Sequence, residues 1–196
     1  MSYQLNHRQI AWRVAQDLVN GGHVALGTGL PQLVADYLPA GPQLQLHRDD
    51  SAERKPEVSS QQPDSSANRI PTAIDTLVLG AYQVAENGDL ASWALPDAVT
   101  DAARENLAAV RKVLVMMEYF ANDGTCNIVP ECTMPVTAKG CVTTVYTDIA
   151  VIDLIGGNVV IRELIEGITL HTLQMETPVQ LEVSSQLRLL QPPALN

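Results

Sequence analysis

The stretch Leu79-Gly80-Ala81-Tyr82-Gln83-Val84-Ala85-Glu86-Asn87-Gly88-Asp89-Leu90-Ala91-Ser92-Trp93 decides the fold. It continues the apolar run Thr76-Leu77-Val78-Leu79-Gly80-Ala81, a buried-strand pattern, into Val84 to Leu90, which contains the Asn87-Gly88 hairpin signal.

On the N-terminal side, Asn6 can cap a helix in which Ile10, Val14 and Leu18 recur every fourth residue, and Gly21-Gly22 ends it. His23 to Gly27 reads as a short buried strand. Gly27-Thr28-Gly29 makes a tight turn, and Pro31 sits early in a helix through Tyr37. Gln43 to His47 alternates like a strand. From Arg48 to about residue 70 the chain is dominated by Asp, Ser, Gln, Glu, Pro and Lys, which predicts a polar loop or linker.

On the C-terminal side, Asp97 to Val110 is Ala-rich and suits a helix, followed by a strand from Lys112 to Glu118 and a turn at Asp123-Gly124. Val142 to Ile155 is β-branched and ends at Gly156-Gly157, with another strand from Val159. Thr169 can cap a short helix before Pro178, and Val179 to Val183 reads as a closing strand. Strands alternating with helices predict a single α/β domain over residues 1–196, with a mixed, mostly parallel sheet flanked by helices.

Composition narrows the function. The net charge of −10 argues against nucleic-acid backbones and anionic membranes, and two Trp, five Tyr and one Phe provide few stacking platforms for bases. No segment offers the ~18 apolar residues of a membrane span, and the N-terminus lacks signal-peptide regions, so a cytoplasmic location is expected. Cys126, Cys132 and Cys141 form no C-x-x-C pair and read as inert reduced thiols; the four histidines show no metal-ligand spacing, and His23 reads as packing or surface. Glu118, after an apolar strand, can point into a cleft or be a hydrogen-bonded structural carboxylate. Gly27 and Gly29 can bring backbone to a ligand or simply make a structural turn.

Taken in order, these motifs resemble the beta (B-type) subunit of the class I CoA-transferases of the 3-oxoacid, acetoacetate and 3-oxoadipate type. The resemblance rests on Val24 to Pro31, Val34 to Pro39, Leu79 to Trp93, Met117-Glu118, Asp123-Gly124, Ile128-Val129, Cys132 to Thr137, Lys139-Gly140, Thr147 to Val151, Glu163, Gly167 and Met175-Glu176-Thr177. It covers roughly three quarters of the chain in colinear order. It implies the CoA-transferase subunit fold, a CoA thioester as substrate with no tightly bound cofactor, and an A-type subunit or homologous chain as oligomeric partner.

In that family a glutamate attacks the acyl-CoA thioester from a Gln-Ser-Glu-Asn-Gly type motif just after a strand. Counting on from Tyr37-Leu38-Pro39, its position here falls on Asp49, in Leu46-His47-Arg48-Asp49-Asp50-Ser51. The aspartate is one methylene shorter, and a misplacement of about 1 Å can cost ~100-fold. Surface acidic residues in a solvated loop are the competing reading of Asp49, Asp50 and Glu53. The glycine after the family glutamate, the Gly- and Phe-rich segment that follows, and the Gly-Met-Gly-Gly type loop after Trp93 are all missing. The resemblance therefore implies a B-type subunit in an acyl-CoA-processing hetero-oligomer, without ordinary transferase activity of its own. Divergent thioester chemistry, such as hydrolysis, decarboxylation or a lyase step, stays open to it with residues from its partner. The alternatives are a non-catalytic scaffold using the ancestral interface, and an active transferase with Asp49 as nucleophile.

Overall fold

A computed structural model of the chain describes residues 4–18, 22–38, 44–48, 74–92, 107 and 110–191. Helix α1 (His7–Asp17) begins with a capping box: Asn6 Oδ1 accepts from the Gln9 amide at 3.0 Å and Gln9 Oε1 accepts from the Asn6 amide at 3.0 Å. Ile10, Ala11, Val14 and Ala15 form its buried face, with Arg13 buried beside them.

Eight strands among the described residues share one sheet: β1 (Gly22–Leu26), β2 (Leu44–Arg48), β3 (Thr76–Gly80), β6 (Lys112–Met116), β8 (Thr144–Tyr146), β9 (Ala150–Ile155), β10 (Asn158–Ile165) and β11 (Leu181–Leu190). They lie in the order β2-β1-β3-β6-β8-β9-β10-β11. From β2 to β8 all neighbours are parallel, β9 is antiparallel to both of its neighbours, and β10 pairs with β11 in parallel. The mixed, mostly parallel α/β sheet expected from the sequence is therefore the observed architecture. Its central strands are continuous apolar runs because both faces are covered. Leu77, Val78 and Leu79, and Val113 to Met116, are all buried in one core that also takes in the apolar face of α1.

A smaller sheet of β5 (Leu90–Ala91), β4 (Gln83–Ala85) and β7 (Ile128–Val129) follows the end of β3. Its Asn87-Gly88 turn differs from the mirror-image hairpin turn the dipeptide favours. Gly88 N–H bonds Ala85 O at 2.9 Å and only Gly88, at φ +85°, takes left-handed backbone, which is a longer loop closed by a glycine bulge.

The helix expected through Tyr37 is present as a 3₁₀ helix, Leu30–Tyr37, opened by a Gln32 N–H to Gly29 O bond of 3.0 Å. The β-branched run over 142–155 is two strands, β8 and β9, because Thr147 makes a turn: its hydroxyl bonds Ala150 O at 2.9 Å and accepts from the Ala150 amide at 2.9 Å. Helix α2 (Leu170–Glu176) is capped by Thr169 as expected, and β11 runs seven residues past the predicted Val183 end to Leu190. The polar stretch near 48–70 and the Ala-rich segment over 97–110 lie outside the described residues, apart from Arg48, a buried Leu107 and Val110.

Candidate functional site

Strand β1 leads to β2 on one side while β3 lies on its other side, so the chain reverses direction across the sheet between β1 and β3. Crevices beyond the carboxyl ends of parallel strands at such a point are where ligands bind in open α/β sheets. A cavity of about 810 Å³ opens there. Gly27-Thr28-Gly29 after β1, Gly80-Ala81-Tyr82 after β3 and Met117-Glu118 after β6 all line it.

The Gly27 amide bonds Val78 O at 2.8 Å, extending the ladder by one residue before the chain turns away. Gly29 supplies that turn with φ +77°, and a Cβ built on it would meet nothing within 4 Å. The 3₁₀ helix starts immediately afterwards and has no acidic residue in its first turn.

Glu118 stands at the exit of β6 with its side chain 49% exposed, and its carboxylate Oε1 lies 3.3 Å from Nε2 of His7, the first residue of α1. The backbone around it is fixed. Asn127 Nδ2 donates to Glu118 O at 2.9 Å, and the next amide, Tyr119 N–H, donates to Asp148 Oδ1 at 2.8 Å. The Tyr119 ring is fully buried and its hydroxyl meets Thr177 Oγ1 at 2.7 Å. Burial holds the Tyr119 hydroxyl well above its usual range, so it stays protonated.

Asp148 is buried behind this exit. Burial pushes its carboxyl up, the Tyr119 amide opposes that, Glu118 adds to the rise and His7 reduces it. His7, Glu118 and Asp148 share the wall of a second cavity of about 430 Å³. On the rim of the main cleft, Gln83 Oε1 accepts from the amides of Thr133 (2.9 Å) and Met134 (3.3 Å). This presents Met134, which with Tyr82 is an exposed apolar side chain lining the cleft.

Three of the residues singled out from the sequence, Gly27, Gly29 and Glu118, thus meet in one cavity. Asp49, with Asp50 and Glu53, lies outside the described residues. Strand β2 runs parallel to β1 with Arg48 opposite Leu26, so the chain leaves β2 at the same edge of the sheet. His7, Tyr82, Met134 and Asp148 were not indicated as site residues by the sequence. Tyr82, Met134 and Asp148 do lie within the family-like stretches Leu79 to Trp93, Cys132 to Thr137 and Thr147 to Val151, whereas His7 joins the site only through the tertiary fold.

Among the described residues no group of three or more His, Cys, Asp or Glu could hold a metal ion. Burial raises all three thiols, that of Cys141 to about 11, which disfavours thiolate. The histidines show no ligand spacing in the sequence, but two of them meet in the fold. His23 on β1 and His47 on β2 stack with ring nitrogens 3.1 Å apart, a pairing that adjacent parallel strands create and the sequence spacing hides. No helix among the described residues is long and apolar enough to cross a membrane.

No family model matches the chain. It is, however, 34% identical over 216 aligned positions to the B-type subunit of the 3-oxoadipate CoA-transferase of Acinetobacter baylyi, covering 95% of this chain and 100% of that protein. The chain belongs to the class I CoA-transferase beta-subunit family. It is also 33% identical over 205 positions to the beta subunit of the acetate CoA-transferase of Escherichia coli K12, covering 92% of this chain and 95% of that one. Among solved structures, the decarboxylase AibA/AibB shares the fold with a TM-score of 0.65 at 18% identity, over 95% of this chain and 89% of that chain. The family works on acyl-CoA substrates, and the cleft described above lies where this beta-subunit fold gathers its strand ends.

Proposed function

We propose that this protein is the B-type subunit of a hetero-oligomer that processes acyl-CoA thioesters, with an A-type CoA-transferase subunit as its partner and without ordinary transferase activity of its own. One observation carries the reading. Gly27, Gly29 and Glu118 converge on a single cleft at the carboxyl edge of the sheet, while the sequence that leaves β2 at that edge offers Asp49-Asp50-Ser51 in place of a glutamate and its glycines.

The relatives named 3-oxoadipate and acetate CoA-transferase subunits support a short acyl-CoA substrate class. The decarboxylase with the same fold supports chemistry other than group transfer on this scaffold, since one fold hosts several reactions. The Gly27-Thr28-Gly29 turn lines the cleft, and the open space at Gly29 lets backbone approach a polarised thioester. A second reading keeps Asp49 as a weakened nucleophile, favoured by its place directly after β2.

Co-expression with an A-type subunit, co-purification and a turnover screen over short acyl-CoA thioesters test the proposal. The expected result is a stable hetero-oligomer that consumes a thioester by hydrolysis, decarboxylation or a lyase step. Passage of CoA to a carboxylate acceptor at family-like rates would establish the Asp49 transferase instead. A chain that neither associates with an A-type subunit nor takes up or turns over a CoA thioester would leave a scaffold.

A further inference from the structure

His7 and Glu118 are 111 positions apart in sequence and meet at 3.3 Å on the cleft wall. Both side chains stay accessible, 57% and 49% exposed. Their backbones, by contrast, are held firmly. The Asn6–Gln9 capping box sets the first turn of α1. The body of that helix is tied to the sheet by Arg13 to Glu163 at 2.6 and 2.7 Å and by the Tyr146 hydroxyl to Asp17 at 2.6 Å. Glu118 is fixed at the exit of β6 by Asn127 and by the Tyr119–Asp148 bond. Two accessible titratable groups on rigid supports, facing one cavity with the Gly29 turn, are the arrangement a general base requires.

We propose that Glu118 is the general base for water attack on a CoA thioester bound in this cleft, with His7 as its positioning residue. The inference rests on the thioester reading above and names its reaction as hydrolysis. His7 engages Oε1 and leaves Oε2 to accept a proton from water. As that proton moves, the water oxygen bonds to the thioester carbonyl carbon and the carbonyl electron pair shifts onto its oxygen. Collapse of the oxyanion breaks the C–S bond, and the departing thiolate recovers the proton from Glu118. One thioester and one water become one carboxylic acid and one CoA thiol, with the Glu118 carboxylate restored. Asp148, buried behind the pair, holds the Tyr119 amide and touches no substrate.

The test uses the co-purified complex and acetoacetyl-CoA, reading thiol release and the entry of label from H₂¹⁸O into the carboxylate product, with CoA binding measured by calorimetry. Glu118→Gln is expected to lower kcat by about 100-fold or more, the scale of a lost general base, with KM within about threefold. His7→Ala is expected to lower kcat by about tenfold at unchanged KM, and His7→Gln, which keeps an N–H donor, to restore most of it. Thermal melts of each variant report on folding, which the exposed positions should leave intact. Hydrolysis that survives Glu118→Gln, or a His7→Gln no better than His7→Ala, overturns the inference. A complex that binds CoA without hydrolysing the thioester overturns it too, while leaving the acyl-CoA reading standing. A complex that does neither removes both.

Discussion

Replacing Glu163 by Gln tests how α1 is held over the sheet, and through it how His7 reaches the cleft. Arg13 lies on the apolar face of α1 with its side chain 9% exposed, and it meets the 6% exposed Glu163 of β10 through two bonds of 2.6 and 2.7 Å. Burial works against the charged guanidinium, but hydrogen bonds to Glu163 and Asp17 outweigh it and hold its pKa above the ordinary arginine value. Removing one partner from a buried pair typically costs about 3–5 kcal/mol, because the remaining charge is left uncompensated. Asp17 stays bound to Arg13 at 2.9 Å, which places Glu163→Gln at the lower end, about 3 kcal/mol. For a chain of this length that corresponds to a melting temperature lower by about 9 °C. Arg188 also touches Glu163, at 2.9 Å, but is 62% exposed, so Arg188→Met should cost less than about 1 kcal/mol. The paired replacement Arg13→Met with Glu163→Leu should recover most of the loss, since it leaves no buried charge in that pair. Thermal and urea melts of the three variants measure this. A Glu163→Gln protein melting within about 2 °C of the parent, or an Arg188→Met as damaging as Glu163→Gln, would refute the reasoning.

Other outcomes follow from the same geometry. Gly29→Ala places its Cβ in open space and should cost only backbone strain, about 1–3 kcal/mol, whereas Gly22→Ala puts a Cβ 2.7 Å from Asp75 Oδ2 as well as straining φ +102°. Gly22→Ala should therefore melt lower, while Gly29→Ala should lower thioester turnover more; the reverse order in either assay counts against the assignment of the turn to the cleft. Asp148→Asn keeps an acceptor for the Tyr119 amide. The folded-state carboxyl of Asp148 is raised, so its contribution is full below its unfolded value and declines as pH rises through the folded one. The Asn variant should match or exceed the parent melting temperature at pH 7.5, and a clear drop would contradict the reading. His47 is lowered by burial and then by His23, so its contribution is present above its unfolded value and is lost as pH falls through the folded one. The His23 ring, stacked on His47 with ring nitrogens 3.1 Å apart, is the charged neighbour that lowers it, while Asp75 accepts from the His23 backbone amide at 2.9 Å on the other side of β1. Melts at pH 7.5 and 5.0 should show a smaller acid loss for His47→Gln than for the parent, and an equal loss would discard the pair as a source of it.

The strands of the central sheet were legible because parallel strands buried on both faces must be apolar throughout, as in Leu77-Val78-Leu79 and Val113 to Met116. The cap at Asn6 and the glycine turn at Gly29 were legible because short side-chain bonds and positive φ demand particular residues. The break between β8 and β9 was hidden, since Thr147 makes it by side-chain bonding inside an unbroken β-branched run. Arg13 was invisible for another reason: it shares the apolar face of α1 only because Glu163 waits 150 residues away. The candidate site divides the same way. Glycines and a carboxylate at strand ends could be flagged singly, but the meeting of Glu118 with His7 depends on how α1 docks beside β6. Nothing in either local sequence records that.

The most direct measurement is peptide mapping of the complex while it turns over acetoacetyl-CoA, with borohydride added to reduce any thioester formed on the protein. Continuing CoA release with the peptide carrying Asp49 unmodified is the expected result. A reduced adduct at Asp49, formed at a rate matching turnover, would contradict it and make this chain a working transferase subunit.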